Sequence, residues 1–198
     1  LKLDGIGMFS NFENKYLGDP LMDPVFDELN RRKATIFVHP AHCGAPPELN
    51  LQAPGSTIEY IFDTTRAIVN LLFTKTFYRC PDIRIIFSHA GGAVPYLTQR
   101  ISGLEQGSGV PDVIGTLKSL YYDIASASGK YALPSLQALA DPTHILFGSD
   151  YPFVFGPRLQ HEIDYWTEYD GLDQAGKNKV EVDNALALFP RLSQVGVR

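Results

Sequence analysis

Two histidines and one aspartate each close a short apolar run in this sequence. They are His39 in Ile36-Phe37-Val38-His39-Pro40, His89 in Ile85-Ile86-Phe87-Ser88-His89-Ala90-Gly91-Gly92, and Asp150 in Ile145-Leu146-Phe147-Gly148-Ser149-Asp150-Tyr151-Pro152. Each apolar run stops at the polar residue, and Gly or Pro follows. Runs of this kind read as buried parallel strands that hand one polar side chain to the mouth of an α/β fold, the end where ligands bind. Two imidazoles and a carboxylate are a donor set for a divalent metal and equally an acid/base constellation. A carboxylate beside such a cation stays ionised and can accept or return a proton, and a neighbouring histidine can deprotonate bound water or polarise a substrate oxygen. His89 therefore fits either role, ligand or acid/base, and its position does not choose between them. With His89 as acid/base, the two remaining donors are fewer than a catalytic metal usually takes from a protein.

The remaining candidates have weaker sequence support. His42 and Cys43 would add an imidazole and a thiolate to His39, but His-x-x-His-Cys on a loop is a poor zinc signature. His144 begins its apolar run, so it belongs at the opposite end from Asp150 and reads as structural. His161 falls in a helical stretch and reads as a solvated side chain. Arg100 stands on the helix after His89 and can fork onto a carboxylate, or equally form a surface ion pair. Asp63 and Arg66, one turn apart, are expected to pair locally. Asp123 ends the run Tyr121-Tyr122-Asp123 with its role open.

The elements that must hold these residues alternate between strand and helix. Gly5 to Ser10 reads as a first strand. Asp23 is expected to cap a helix with Pro24 at its first position and Arg31, Arg32 and Lys33 near its end. Ala34 to Val38 forms the second strand, followed by a long Pro- and Gly-rich loop from Pro40 to Gly55. Ser56-Thr57-Ile58-Glu59 is a capping box for the longest helix, whose apolar positions run through Ile61, Ile68 and Leu72 and which ends before Pro81. Further strands are expected at Ile83 to Ser88, Leu120 to Ala125 and His144 to Ser149. Helices are expected after Pro95 and near Pro134 to Ala140, a glycine-rich loop over Gly103 to Gly115, and a helical tail from Asp173 to Leu188. Five non-alternating strands with helical crossovers make a parallel α/β sheet. A doubly wound sheet and part of a (β/α)8 barrel both fit this pattern.

The composition is that of one globular domain: 198 residues, 44% hydrophobic and 20% charged. A net charge of −5 lacks the basic face that a nucleic-acid partner requires. No apolar stretch reaches the ~20 residues of a membrane span. Two cysteines are too few for a disulfide framework, which points to a reducing, cytoplasmic compartment. Leu1-Lys2-Leu3-Asp4 lacks the regions of a signal peptide and no methionine opens it, so the chain is expected to begin partway through a longer protein.

Taken in order, Phe37-Val38-His39-Pro40, Ser88-His89-Ala90-Gly91-Gly92, Arg100 and Gly148-Ser149-Asp150-Tyr151-Pro152 resemble the amidohydrolase-related metal-dependent decarboxylases. That group includes the aminocarboxymuconate-semialdehyde, γ-resorcylate, isoorotate and 6-methylsalicylate decarboxylases. Asp63-Thr64-Thr65-Arg66-Ala67 and Asn184-Ala185-Leu186-Ala187-Leu188-Phe189 resemble its aromatic-acid branch. The resemblance implies an α/β fold, about strands 4–8 of a (β/α)8 TIM barrel, in one domain over residues 1–198 that is incomplete at its N-terminus. It implies His39 and Asp150 as metal ligands, His89 and Asp150 in catalysis, and Arg100 on the substrate carboxylate, reaching a neighbouring subunit's site in a homodimer. The cofactor it implies is a divalent ion, Zn²⁺ first and Mn²⁺ as the alternative. The reaction is non-oxidative decarboxylation of a small aromatic or heteroaromatic acid. Hydrolase or hydratase chemistry at the same metal, or an inactive fragment, are the alternatives. Members of the group carry a His-x-His or Glu-x-His pair on the first strand, and no such pair precedes His39 here.

Overall fold

The structure is a computed structural model that describes residues 3–41 and 52–194. In chain order it contains β1 (Ile6–Phe9), a small hairpin β2 (Asn11–Phe12) and β3 (Lys15–Tyr16), α1 (Asp23–Arg31) and β4 (Thr35–His39). Next come α2 (Gly55–Phe73), α3 (Thr76–Arg79) and β5 (Arg84–Phe87), then α4 (Val94–Ser102), α5 (Glu105–Ser108), α6 (Val113–Ser119) and β6 (Tyr121–Asp123). The last part holds α7 (Leu133–Leu139), β7 (Ile145–Leu146), α8 (Pro157–Glu168), α9 (Gln174–Asn178) and α10 (Asn184–Leu188).

Five strands form one parallel sheet in the order β1-β4-β5-β6-β7. Each strand lies beside its predecessor in that sheet. A doubly wound sheet reverses direction at a switch point, so this order leaves only the singly wound alternative for the described strands. The register follows the pleat. Ile36, Val38, Ile85, Phe87 and Tyr122 share one face and are buried against the helices, notably through Ile68, Leu71 and Leu72 of α2. Phe37, Ile86, Tyr121 and Leu146 share the other face, where Ile86 and Leu146 pack with Leu188 and Phe189 at the end of α10. His39 and Asp123 fall on this second face by the same alternation.

Several local expectations are corrected. Asp23 does not cap α1; a 3₁₀ turn at Pro20–Met22 runs straight into the helix, and Asp19 is the cap, accepting from the Leu21 N–H at 3.0 Å. The capping box does not form, because α2 begins two residues early, at Gly55 with Pro54 before it, and leaves Ser56 inside the first turn. That helix does end before Pro81, stopping at Phe73, where Lys75 adopts a left-handed conformation (φ 62°) before the separate turn of α3. The expected loop from Gly103 to Gly115 folds largely as α5 and α6, with Asp112 capping the latter through Gly115 N–H at 3.0 Å. The helical tail is found, capped by Asp173 and interrupted by a π-helical turn at Lys179–Asp183. The hairpin β2–β3 is an addition that the sequence pattern did not reveal.

Candidate metal centre

β4 ends at His39 because Pro40 offers no N–H to continue the ladder. The His39 ring turns its Nδ1 onto the Pro40 carbonyl at 2.9 Å. A carbonyl only accepts, so Nδ1 carries the hydrogen and Nε2 is left with its lone pair. That Nε2 is buried and has no hydrogen-bond partner among the described residues.

His89 follows β5 and is itself buried. Its backbone is left-handed (φ 56°), as is that of Ala90, and the Gly91-Gly92 pair continues the sharp turn. A side chain at Gly91 would run into the Tyr122 ring, so the turn packs directly on the core. The His89 N–H donates to Asp123 Oδ1 at 2.8 Å, and the same oxygen accepts from Ala125 N–H at 3.0 Å. Asp123 at the end of β6 is thus a backbone clamp on the His89 turn. Burial pushes its carboxyl up to about 6, against the lowering effect of those two amides. Burial likewise lowers the His89 imidazole below the usual histidine range; the Asp150 carboxylate opposes this and His39 adds to it. His89 is therefore held towards its neutral form.

Asp150 lies beyond β7, not at its end, and is again left-handed (φ 58°). That turn carries its carboxylate back between the two imidazoles. Its Oδ1 stands 3.8 Å from His39 Nε2 and 3.7 Å from His89 Nε2, too far for a hydrogen bond to either. One ligand atom from each of the three residues lies within 4.8 Å of the others. Three donors grouped but not bonded to one another, one of them a buried nitrogen without a partner, are a donor set suited to a divalent cation. Four positive φ values on non-glycine residues, at His89, Ala90, Ser126 and Asp150, crowd this end of the sheet, as strained backbone commonly does at functional sites.

Two cavities meet at the triad, sharing His39, His89, Asp150 and Phe153. The smaller, about 460 Å³, runs over the second face of the sheet past Phe37 and Phe147. The larger, about 920 Å³, opens between Tyr60 of α2 and Arg158 of α8, with Ser126 in its wall. Phe153 stacks on the His39 ring, with centroids 6.3 Å apart. The space suits a flat, partly apolar molecule with an anionic group, because aromatic walls surround the donors and a guanidinium stands at the rim.

All three residues expected to meet do so. Arg100 does not join them: it is exposed in the last turn of α4 and lines neither cavity. His144 lies at the far end of the sheet, stacked on Tyr121 with centroids 3.9 Å apart, and His161 is exposed on α8 beside Tyr165. His42 and Cys43 lie outside the described residues. Asp63 is fully buried and has no ion pair with Arg66; it binds Ser10, Asn11, Tyr16 and Ala41 instead. Arg158, Tyr60 and Phe153 carried no motif and were missed. Asp123 obeyed the strand-end grammar and was the one missed role with a readable signal. No described helix is long and apolar enough to cross a membrane.

A family model described as Amidohydrolase matches residues 1–191. The chain is 31% identical over 203 residues to the 6-methylsalicylic acid decarboxylase of Penicillium expansum, covering 98% of this chain and 62% of the relative. A solved structure described as an amidohydrolase II superposes with a TM-score of 0.88 at 28% identity, over 93% of this chain and 61% of that one. The 5-carboxyvanillate decarboxylase of Novosphingobium aromaticivorans, solved with manganese and a nitrobenzoic acid, gives a TM-score of 0.81 at 22% identity, over 94% and 56% of the two chains, and so shares the fold. The chain spans less than two thirds of the length of the curated relatives it matches.

Proposed function

The chain belongs to the amidohydrolase family, and from that membership and the site we propose that it serves metal-dependent, non-oxidative decarboxylation of a small aromatic carboxylic acid. The observation that carries the reading is the convergence of His39, His89 and Asp150 around a buried nitrogen without a partner, inside a cavity with aromatic walls. The decarboxylase named for the Penicillium relative supports the reaction class.

In this reading His39 and Asp150 hold a divalent ion, Zn²⁺ first because imidazole suits it, with Mn²⁺ as the alternative that the 5-carboxyvanillate decarboxylase structure supports. When bound, the ion supplies positive charge that fixes and polarises the substrate carboxylate and an adjacent oxygen. Phe153 and Phe37 pack against the ring. Asp150 delivers a proton to the ring carbon that bears the carboxylate; the bond to that carboxylate then breaks, CO₂ departs, and the electron pair restores aromaticity. The Asp150 carboxylate left behind regains its proton from solvent, with His89, held neutral by burial, as the acid/base neighbour that takes up and passes on that proton. Arg100, on the exposed end of α4, would reach the substrate carboxylate in the neighbouring subunit of a homodimer. The five strands would be the fourth to eighth of a (β/α)8 barrel in a single domain, which their sequential parallel order and the position of the site at their C-terminal ends support.

The test is incubation of the metal-loaded protein with 6-methylsalicylate and related hydroxybenzoates, following CO₂ and the corresponding phenol. Release of both in equal amounts is expected. Absence of CO₂ from every aromatic acid would overturn the decarboxylase reading and return hydrolase or hydratase chemistry to the front.

A further inference from the structure

His39 is aimed by a peptide plane. The Pro40 carbonyl that accepts from Nδ1 and the Ala41 N–H belong to one peptide unit, so fixing one end fixes the other. The Ala41 N–H is gripped from two sides, by Ser10 Oγ at 2.9 Å and Asp63 Oδ2 at 3.1 Å. Ser10 closes the circuit, since its N–H donates to the His39 carbonyl at 2.9 Å and its hydroxyl donates to Asp63 Oδ2. Asn11 Nδ2 donates to both carboxylate oxygens, at 3.1 Å to Oδ1 and 3.2 Å to Oδ2, and the Tyr16 hydroxyl donates to Oδ1 at 2.8 Å. Burial and the Asp63 charge push the Tyr16 hydroxyl up to about 12, so it remains a donor at neutral pH.

A fully buried carboxylate is costly unless its oxygens are satisfied. This one is satisfied by groups from β2, β3, the end of β1 and the chain just past β4, which no local pairing on α2 would require. We propose that Asp63 is a positioning residue for His39: with Ser10 it orients the Pro40–Ala41 peptide, which holds the His39 ring in the Nδ1–H tautomer and turns Nε2 to the metal. The last step rests on the reading of His39 as a ligand. The carboxylate–amide–imidazole relay replaces the direct carboxylate–histidine contact by which ligating histidines are often held.

The experiment compares the full chain with Ser10→Ala, Asp63→Asn and Tyr16→Phe, using ¹⁵N NMR of the His39 ring and titration with Co²⁺. In the unmodified protein His39 is expected as the Nδ1–H tautomer. Ser10→Ala and Asp63→Asn should mix in the Nε2–H form and weaken Co²⁺ binding by roughly 10–100-fold. Tyr16→Phe removes a donor to the same carboxylate, but on the oxygen away from Ala41, so both readouts should stay within about twofold. Ser10→Ala carries the comparison should Asp63→Asn not fold. Unchanged tautomers in the Ser10 and Asp63 variants, or equal losses in all three, would overturn the proposal. A tautomer shift in a protein that binds no Co²⁺ would instead leave the positioning intact and sink the metal reading.

Discussion

The proton on His39 decides what this site can hold. Because Nδ1–H is committed to the Pro40 carbonyl, Nε2 has only a lone pair to offer, and no described donor meets it. His39→Ala should lower the affinity for Zn²⁺ by at least about 10-fold in a competitive dye titration. Under the proposed decarboxylation, Asp150→Asn should cut CO₂ release by roughly 10²–10⁴-fold while far-ultraviolet circular dichroism stays unchanged. Asp123 gives a different test, because its carboxyl is raised from 3.8 to about 6 by burial. A carboxyl raised in the folded state stabilises the fold fully below its unfolded value and loses that contribution as pH rises through the folded one. In the metal-free chain, the stability of the native protein relative to Asp123→Asn should therefore fall by up to ~3 kcal/mol between about pH 4 and about pH 7, read by urea unfolding. The identities His39, His89 and Asp150 were legible because a strand end exposes one side chain at a known place. The left-handed turn that swings Asp150 back was not, since nothing in Gly148-Ser149-Asp150 requires φ 58° there. Asp63 was misread for a related reason: spacing of three residues reports neighbours on one helix and is silent about β1, β2 and β3.

The elements succeed or fail as carriers of the site through their junctions. Gly92 is one such junction, at φ 68° where the His89 turn meets α2. A Cβ there would collide with the Ile61 carbonyl and stand 2.6 Å from Thr65 Oγ1, which itself accepts from the Ala93 N–H at 2.9 Å. Gly92→Ala should cost about 2–4 kcal/mol in chemical denaturation, since it combines backbone strain with overpacking. The strands were legible from their apolar runs, whose alternate residues land on the two faces of the sheet. Helix boundaries were read less well where a two-residue shift moves the cap: Pro54 precedes α2, so Ser56 cannot cap it. Gly103 to Gly115 looked like a loop, yet Glu105 joins its two short helices by accepting from the Val113 N–H at 2.7 Å, a tertiary contact that glycine content does not report.

Taken entire, the chain presents Arg100 away from its own triad, on the exposed end of α4. If that arginine serves a neighbouring subunit, an Arg100→Ala protein and an Asp150→Asn protein, each nearly inactive alone, should regain activity when mixed and allowed to exchange subunits. One mixed site in each heterodimer would then be intact, and the recovery should approach a quarter of the native rate for equal mixing. No recovery from two inactive variants would place Arg100 in its own subunit's site, and an Arg100→Ala protein that keeps its activity alone would place it outside the chemistry. The sequence carries the strand–helix alternation and the residues that end strands, because burial and chain stiffness act over a few neighbouring residues. It also carried the family, through the order of those strand-end motifs. The single winding of the sheet, the Asp123 clamp on the His89 turn and the hold of Asp63 on the Pro40–Ala41 peptide emerge in the folded chain alone. Those are contacts between residues some twenty to fifty positions apart, and no local pattern can encode which distant partner satisfies a buried polar atom.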